Sequence, residues 1–143
     1  YSNNLLKRTI KTPKMYFFDT GLVCYLTRYS SPEILMNGAI NGAILENYVV
    51  SEIIKTYSNS AQDCLLNYYR DKNSNEIDLI MESDGQLHPM EIKKSINPPT
   101  QITGAFKLLD KASVPRGTGA IICLRENLSA IDSNTYIVPV WMI

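Results

Sequence analysis

The sequence has one histidine, three cysteines and no net charge, and no apolar run approaches the roughly 20 residues of a membrane span. No signal-peptide pattern opens it, so we predict a cytoplasmic protein without a membrane partner. The cysteines are widely spaced among apolar neighbours, which is typical of buried free thiols rather than of disulfides or a zinc site. The lone His88 gives no support to Ser/His/Asp catalysis. The absence of GxxxxGK[ST] excludes ATP binding through a P-loop in this chain.

Positive and negative charges balance over the chain, at 14 of each sign. This balance argues against a domain that binds nucleic acid by charge alone. Basic residues do gather near the start, where they form either a solvated segment or a phosphate contact. These residues are Lys7, Arg8, Lys11 and Lys14. With 143 residues and 45% hydrophobic composition, the chain is large enough to bury a core as one globular domain.

The stretch 68–95 has the pattern of two hairpins that join three strands. Asp84-Gly85 predicts a type I′ turn between the second and third strands. The register that follows pairs Leu79 with Met90, Asp78 with Glu91, Ile77 with Ile92 and Glu76 with Lys93. It predicts one apolar face with Ile77, Leu79, Met90 and Ile92, and one charged face with Asp78, Glu91 and Lys93. Two opposed carboxylates about 5 Å apart repel each other and usually need a cation or a shared proton.

The order of elements predicts an α/β (α+β) fold with a mixed central sheet flanked by helices. A strand, a helix and a strand in succession favour a right-handed parallel crossover after the three antiparallel strands. The predicted elements are a helix over 20–29 capped by Asp19, a helix over 43–57, strands at 64–70, 76–82 and 86–94, a helix over 100–112, a strand at 120–124, a polar loop over 125–135 and a strand at 136–141.

Glu46 lies in the middle of the apolar stripe of the helix over 43–57. The stripe consists of Leu45, Val49, Val50, Ile53 and Tyr57. A carboxylate on such a face is costly unless a cation, a metal ion or strong hydrogen-bond donors accompany it. An ion pair with a buried lysine or arginine is the alternative to a functional role.

Glu46, Asp78 and Glu91 are predicted to converge at one end of the sheet. Three carboxylates suit a hard divalent cation, Mg²⁺ or Mn²⁺. Such an ion polarises a phosphoryl oxygen and lowers the pKa of a bound water. Lys93, on the same strand face as Glu91, could stabilise the attacking hydroxide or the pentavalent phosphate.

Asp78 followed after a hairpin by Glu91-Ile92-Lys93, with an acid on the preceding helix, resembles the PD-(D/E)XK nuclease superfamily. The resemblance implies a restriction-endonuclease-like αβββαβ core. It also implies these roles: Asp78, Glu91 and the Ile92 carbonyl as metal ligands, Lys93 as the catalytic lysine and Glu46 as the additional helix acid. Ile77 stands where the name of the motif has proline.

Four further blocks are similar to a nuclease-like C-terminal domain of uncharacterised function in prokaryotic AAA-type ATPases. The blocks are KMYFFDTGL at 14–22, GAILENYVVSEI at 42–53, YYRDKNSNEIDLI at 68–80 and MEIKKS at 90–95. The resemblance implies a single domain over 1–143, with a connector and helical part at 1–41 and a nuclease-like core at 42–143. It implies that ATP binds only in an upstream ATPase module, which would be this domain's partner in a longer protein.

Three functional interpretations follow, with Arg70 and Lys94 as candidate phosphate or nucleic-acid contacts. The first is a Mg²⁺- or Mn²⁺-dependent DNA phosphodiesterase. The second is a non-catalytic module that binds nucleic acid or protein and regulates the ATPase. In the third, purely structural interpretation, Glu76 pairs with Lys93, Asp78 and Glu91 face solvent, and Glu46 pairs with a nearby cation. Arg70 could equally form a salt bridge with Asp71 or Glu76.

Overall fold

A computed structural model describes residues 13–143. The predicted basic cluster therefore lies outside the described residues, except for Lys14. Three helices precede the sheet: α1 at Thr20–Leu26, α2 at Pro32–Asn37 and α3 at Asn41–Asn59. The predicted cap of α1 is confirmed, because Asp19 accepts a hydrogen bond from the Leu22 N–H at 3.0 Å. The helix ends at Leu26 rather than at residue 29, just before Arg28 takes a positive φ of 63°.

Six strands form one mixed sheet in the order β1-β2-β3-β4-β6-β5. The strands are β1 at Leu65–Arg70, β2 at Glu76–Ser83, β3 at Gln86–Lys93, β4 at Gly119–Cys123, β5 at Ser129–Asp132 and β6 at Thr135–Pro139. The first three pair antiparallel, β3, β4 and β6 are parallel to one another, and β5 returns antiparallel to β6. The predicted mixed sheet with a parallel crossover is confirmed.

The turn between β2 and β3 has the predicted conformation. Asp84 has a φ of 51° and Gly85 a φ of 69°, both in the left-handed region that a type I′ turn requires. Ser83 pairs with Gln86. The register continues as predicted to the pair of Leu79 and Met90, where the regular ladder ends.

The predicted apolar face of β2 is wrong at Ile77. Between the β1 residues Asn67 and Tyr69, β2 advances from Ile80 to Ile77, so β2 carries one extra residue in a bulge. The extra residue reverses the alternation of side chains along the strand. Ile77 therefore packs in the cluster of Ile80, whereas Leu79 packs in a different cluster with α3 residues.

Helical layers cover both faces of the sheet. α3 packs on one face, in a cluster made of Val49, Val50, Ile53, Leu79, Ile92 and Ile122. The segment Thr100–Lys111 covers the other face, where Phe106 and Leu109 pack against β2 and β3 residues. The helix predicted over 100–112 is confirmed, and it is a 3₁₀ helix. Its pitch of three residues per turn aligns Phe106 and Leu109, which are three residues apart, toward the core.

The region predicted as a polar loop over 125–135 contains β5. A tight turn makes this strand possible, because the Asp132 carboxylate accepts a hydrogen bond from the Asn134 N–H at 2.8 Å. β5 is short and alternates between exposed and half-buried residues, so it gave no continuous apolar pattern. The last strand spans Thr135–Pro139 rather than 136–141.

The three cysteines are free thiols, as predicted, although only Cys123 is fully buried. Cys24 and Cys64 are half-buried. Across residues 13–143, none of the helices has the length and apolar character needed to cross a membrane.

Candidate functional site

Asp78 and Glu91 meet at the ammonium group of Lys93. The Lys93 Nζ lies 2.8 Å from the Asp78 Oδ2 and 2.8 Å from the Glu91 Oε2. The bulged strand β2 carries Asp78, and β3 carries the other two residues. The structure thus brings together the three residues that the hairpin register predicted.

The site lies where β2 and β3 separate. The regular ladder ends at Leu79 and Met90, and the Asp78 Oδ2 accepts a hydrogen bond from the Ile92 N–H at 2.9 Å. A side-chain oxygen therefore replaces the backbone carbonyl that a continuing ladder would supply to Ile92. Bulges commonly re-aim a side chain in this way, and here the bulge lets the Asp78 carboxylate reach between the strands.

Burial controls the proton affinity of Glu91. Its side chain is only 6% exposed, and burial raises the pKa of the Glu91 carboxyl to about 7 against the lowering effect of the Lys93 hydrogen bond. Burial alone would lower the pKa of the Lys93 ammonium, but its hydrogen bonds to Asp78 and Glu91 outweigh burial and raise that pKa. The cluster therefore contains a lysine whose charged form is favoured by two acids, one of which, Glu91, has a pKa of about 7.

Glu46 belongs to a second, neighbouring contact set. The Glu46 Oε1 accepts hydrogen bonds from the Tyr16 hydroxyl at 2.7 Å and from the Lys14 ammonium at 3.0 Å. Lys14 also lies 3.6 Å from the Glu76 Oε1 and stacks 5.2 Å from the centroid of the Tyr68 ring. The ion pair that was the alternative interpretation of Glu46 is present, with Lys14 as its cation.

Tyr16 contacts Glu46 and lies close enough to Asp78 to be affected by its charge. Burial, the hydrogen bond to Glu46 and repulsion from the nearby Glu46 and Asp78 carboxylates all raise the pKa of the Tyr16 phenol. The phenol therefore stays protonated and donates to Glu46. The sequence analysis assigned no role to Tyr16, so its contact with the acidic region was missed.

Asn47 holds the segment 14–17 against α3. Its Oδ1 accepts a hydrogen bond from the Phe17 N–H at 2.6 Å, and its Nδ2 donates to the Phe17 carbonyl at 2.9 Å. The same Nδ2 lies 3.1 Å from the Thr20 hydroxyl oxygen. One buried amide thus pairs with both backbone groups of Phe17 and fixes the position from which Tyr16 reaches Glu46.

Replacing Asn47 with alanine is expected to destabilise the protein by about 2 kcal/mol, because two partly buried backbone groups of Phe17 lose their partners. Hydrogen exchange of the Phe17 amide should accelerate more than exchange in the core of β3. Exposed Asn73, replaced with alanine, is the matched control and should leave both quantities nearly unchanged. Unaltered hydrogen exchange at the Phe17 amide in the Asn47 variant would contradict the role of Asn47 in holding the segment 14–17 against α3.

Arg70 and Lys94, the two predicted phosphate or nucleic-acid contacts, are both exposed. Arg70 is exposed, and across residues 13–143 no ion pair with Asp71 or Glu76 is formed by it. Lys94 is exposed and lines a cavity beside α3. The structural interpretation of the hairpin is wrong in two respects: Lys93 pairs with Asp78 and Glu91 rather than with Glu76, and both acids are largely buried.

Asp78 and Glu91 provide part of the ligand set that a hard divalent cation requires. Two carboxylates that converge on one point provide oxygen ligands, and Mg²⁺ commonly binds one or two carboxylates and keeps several waters. Glu46 does not join them, because Lys14 and Tyr16 hold its carboxylate. Accordingly, the described part of the chain contains no group of three or more His, Cys, Asp or Glu side chains that could hold a metal ion.

Comparison with known proteins gives a family and two relatives. Uncharacterized protein Rv2008c of Mycobacterium tuberculosis and Uncharacterized protein Mb2031c of Mycobacterium bovis are each 30% identical to this chain over 107 residues. That alignment covers 75% of this chain but only 23% of each relative, so the chain spans about a quarter of their length. No solved structure matches. Residues 41–143 match the DUF4143 family, described as a domain of unknown function. Because this match covers more than half of the sequence, the chain belongs to the DUF4143 family.

Proposed function

We propose that this domain is a Mg²⁺- or Mn²⁺-dependent phosphodiesterase that acts on DNA, with a restriction-endonuclease-like fold. The observation that carries the proposal is the convergence of Asp78, Glu91 and Lys93 at the point where β2 and β3 separate. This is the pair of acids and the lysine that the resemblance to PD-(D/E)XK nucleases implied. The order of α3, β1, β2, β3, the 3₁₀ helix and β4 is compatible with that fold.

Asp78 and Glu91 would hold the metal ion, with the Ile92 carbonyl as a further candidate ligand. When bound, the ion supplies Lewis-acid polarisation of a phosphoryl oxygen and a more acidic water. The two carboxylates would then no longer need the Lys93 ammonium as their shared cation. Lys93 would be able to donate hydrogen bonds to a phosphoryl oxygen and stabilise its developing negative charge.

The raised pKa of Glu91 makes the proposed metal binding depend on pH. Metal binding requires the carboxylate form, and the pKa of Glu91 is about 7. We therefore expect affinity for Mn²⁺ to rise as the pH increases toward and through 7. Arg70, exposed at the end of β1, and Lys94 are the candidate contacts for the phosphate backbone.

The proposal includes a longer protein in which this domain follows an AAA-type ATPase module. The two mycobacterial relatives support a longer protein only through their length, since the matched region makes up 23% of each relative. ATP would bind in that module. The nuclease-like domain would then act where ATP hydrolysis delivers the DNA.

The test is Mn²⁺-dependent cleavage of linear, nicked and single-stranded DNA at pH 8. Wild type should cleave at least one form, and Asp78→Asn and Lys93→Ala should each lose about 100-fold in rate or more, as expected on removing an electrostatic stabiliser. Lys107→Ala, an exposed lysine of the 3₁₀ helix, should retain the wild-type rate. Circular dichroism at the assay temperature must show that each variant is folded. Equal cleavage by wild type and Lys93→Ala would exclude the role of Lys93.

A non-catalytic module is the second candidate, and one observation favours it. Both acidic contact sets already contain a cation from the chain itself, Lys93 in one and Lys14 in the other. Such internal neutralisation suits a site kept for structure. DNA binding without cleavage of any DNA form, in Mg²⁺ or in Mn²⁺, would select this candidate.

A further inference from the structure

A second, chemically different site lies on the α3 side of the sheet. A cavity of about 370 Å³ opens between α2, the first turns of α3 and the ends of β3 and β4. Its lining residues are Thr20, Leu35, Met36, Asn41, Ile44, Leu45, Tyr48, Lys94 and Leu124. A volume of this size falls in the range of small-molecule sites.

The lining is apolar with one charge. Leucine, isoleucine and methionine side chains dominate it, and Lys94 is the single charged residue among the lining residues named. The neighbouring Lys93 is already paired with two acids. Lys94 has no ion pair within the described range 13–143. Because Lys94 is exposed, its alkyl chain can line the cavity while its ammonium stays at the rim.

The position of the cavity in the sheet is also typical of a ligand site. Lys94 and Leu124 each follow directly after a strand, β3 and β4, and these two strands are parallel neighbours. Ligands of open α/β sheets bind outside the carboxyl ends of parallel strands. The cavity therefore lies at the edge of the sheet where a ligand is expected, one residue beyond Lys93.

We propose that this cavity binds a small amphipathic carboxylate: an unbranched aliphatic chain in the apolar interior, with its carboxylate at Lys94. The apolar lining selects the chain by burial of methylene groups. The single rim charge selects an anion over a neutral or cationic head group. This assignment gives Lys94 a ligand other than the DNA phosphate considered above, and it does not depend on nuclease activity.

The test is titration of the whole chain with four ligands: octanoate, hexanoate, octan-1-ol and octylammonium. Calorimetry measures the affinity, and shifts of the Ile44 and Leu45 methyl resonances in NMR spectra report binding in the cavity. Octanoate should bind saturably and about 15-fold more tightly than hexanoate, since it has two more methylenes and each contributes about fourfold. Octan-1-ol should bind about threefold to fivefold more weakly than octanoate, as expected for loss of an exposed charge pair. Octylammonium should bind more weakly still.

Two variants locate the site. Lys94→Met should lower octanoate affinity to that of octan-1-ol and leave octan-1-ol affinity unchanged, while Lys107→Met should affect neither. Leu35→Trp, which fills the cavity, should abolish binding of both ligands. The proposal is overturned if octanoate does not saturate, if its affinity does not depend on chain length, or if Lys94→Met binds it as tightly as wild type.

Discussion

Replacing Lys93 with methionine is expected to lower the free energy of unfolding by about 3 kcal/mol at pH 8. The substitution keeps most of the apolar stem and removes the cation between Asp78 and Glu91, whose side chains are only 14% and 6% exposed. Removal of one partner from a buried ion pair leaves an uncompensated charge, which typically costs about 3–5 kcal/mol. The lower end applies because the Lys93 side chain is 34% exposed. Urea unfolding followed by circular dichroism measures the change.

A double-mutant comparison separates charge from packing. Asp78→Asn in the Lys93→Met background removes one of the two repelling carboxylates, so it should recover part of the lost stability. The same Asp78→Asn change in wild type should destabilise, because it removes an ion-pair partner of Lys93. If Asp78→Asn lowers stability equally in both backgrounds, the two residues are not coupled and the bridging role of Lys93 is wrong.

The stability of the wild-type protein is expected to fall by about 3 kcal/mol between pH 4.5 and pH 7 through Glu91 alone. Burial raises the pKa of this carboxyl from 4.5 to about 7 in the folded protein, and each pKa unit corresponds to about 1.4 kcal/mol. The folded state binds the proton more tightly than the unfolded state. The stabilisation is therefore complete below the unfolded pKa and is lost as the pH rises through the folded pKa.

Glu91→Gln isolates this contribution. The variant cannot titrate at residue 91, so the difference in unfolding free energy between wild type and variant should change by about 3 kcal/mol from pH 4.5 to pH 7.5, in favour of the variant at the higher pH. Glu82→Gln, which replaces a half-buried acid on the same strand as Asp78, is the control for the loss of one carboxyl group. A constant difference between wild type and Glu91→Gln across these pH values would show that Glu91 has an ordinary pKa.

The sequence predicted the acid–lysine cluster because a local rule determined it. Asp84-Gly85 fixes the turn, and the turn fixes the register as far as Leu79 and Met90. Asp78 and Glu91 are the next residues on β2 and β3, and Lys93 follows two residues further along β3. Strong periodicity likewise predicted α3. In these parts of the chain, short-range preferences and tertiary packing favour the same conformation.

The parts that could not be predicted depend on contacts between distant segments. Tyr16 reaches Glu46 only because Asn47 binds the backbone of Phe17, thirty positions earlier in the chain. An amide in a helix carries no sequence pattern for such a partner. The β2 bulge likewise could not be predicted from the sequence, because no glycine or proline marks its position. Its single extra residue moves the Ile77 side chain to the other face of the sheet.

The position of Asp78, Glu91 and Lys93 on one hairpin has a consequence for the order of folding. Closing a short turn costs little chain entropy, and hairpins form within microseconds. The parallel pairing of β3 with β4 forms later, because the 3₁₀ helix between these strands must first cross the sheet. The packing of α3 against both β3 and β4 depends on the same step. The acids and their lysine can therefore meet in an early, solvated hairpin, and desolvation follows when the layers close. In this order the ion pairs form in water, and only a neutralised cluster has to enter the protein interior.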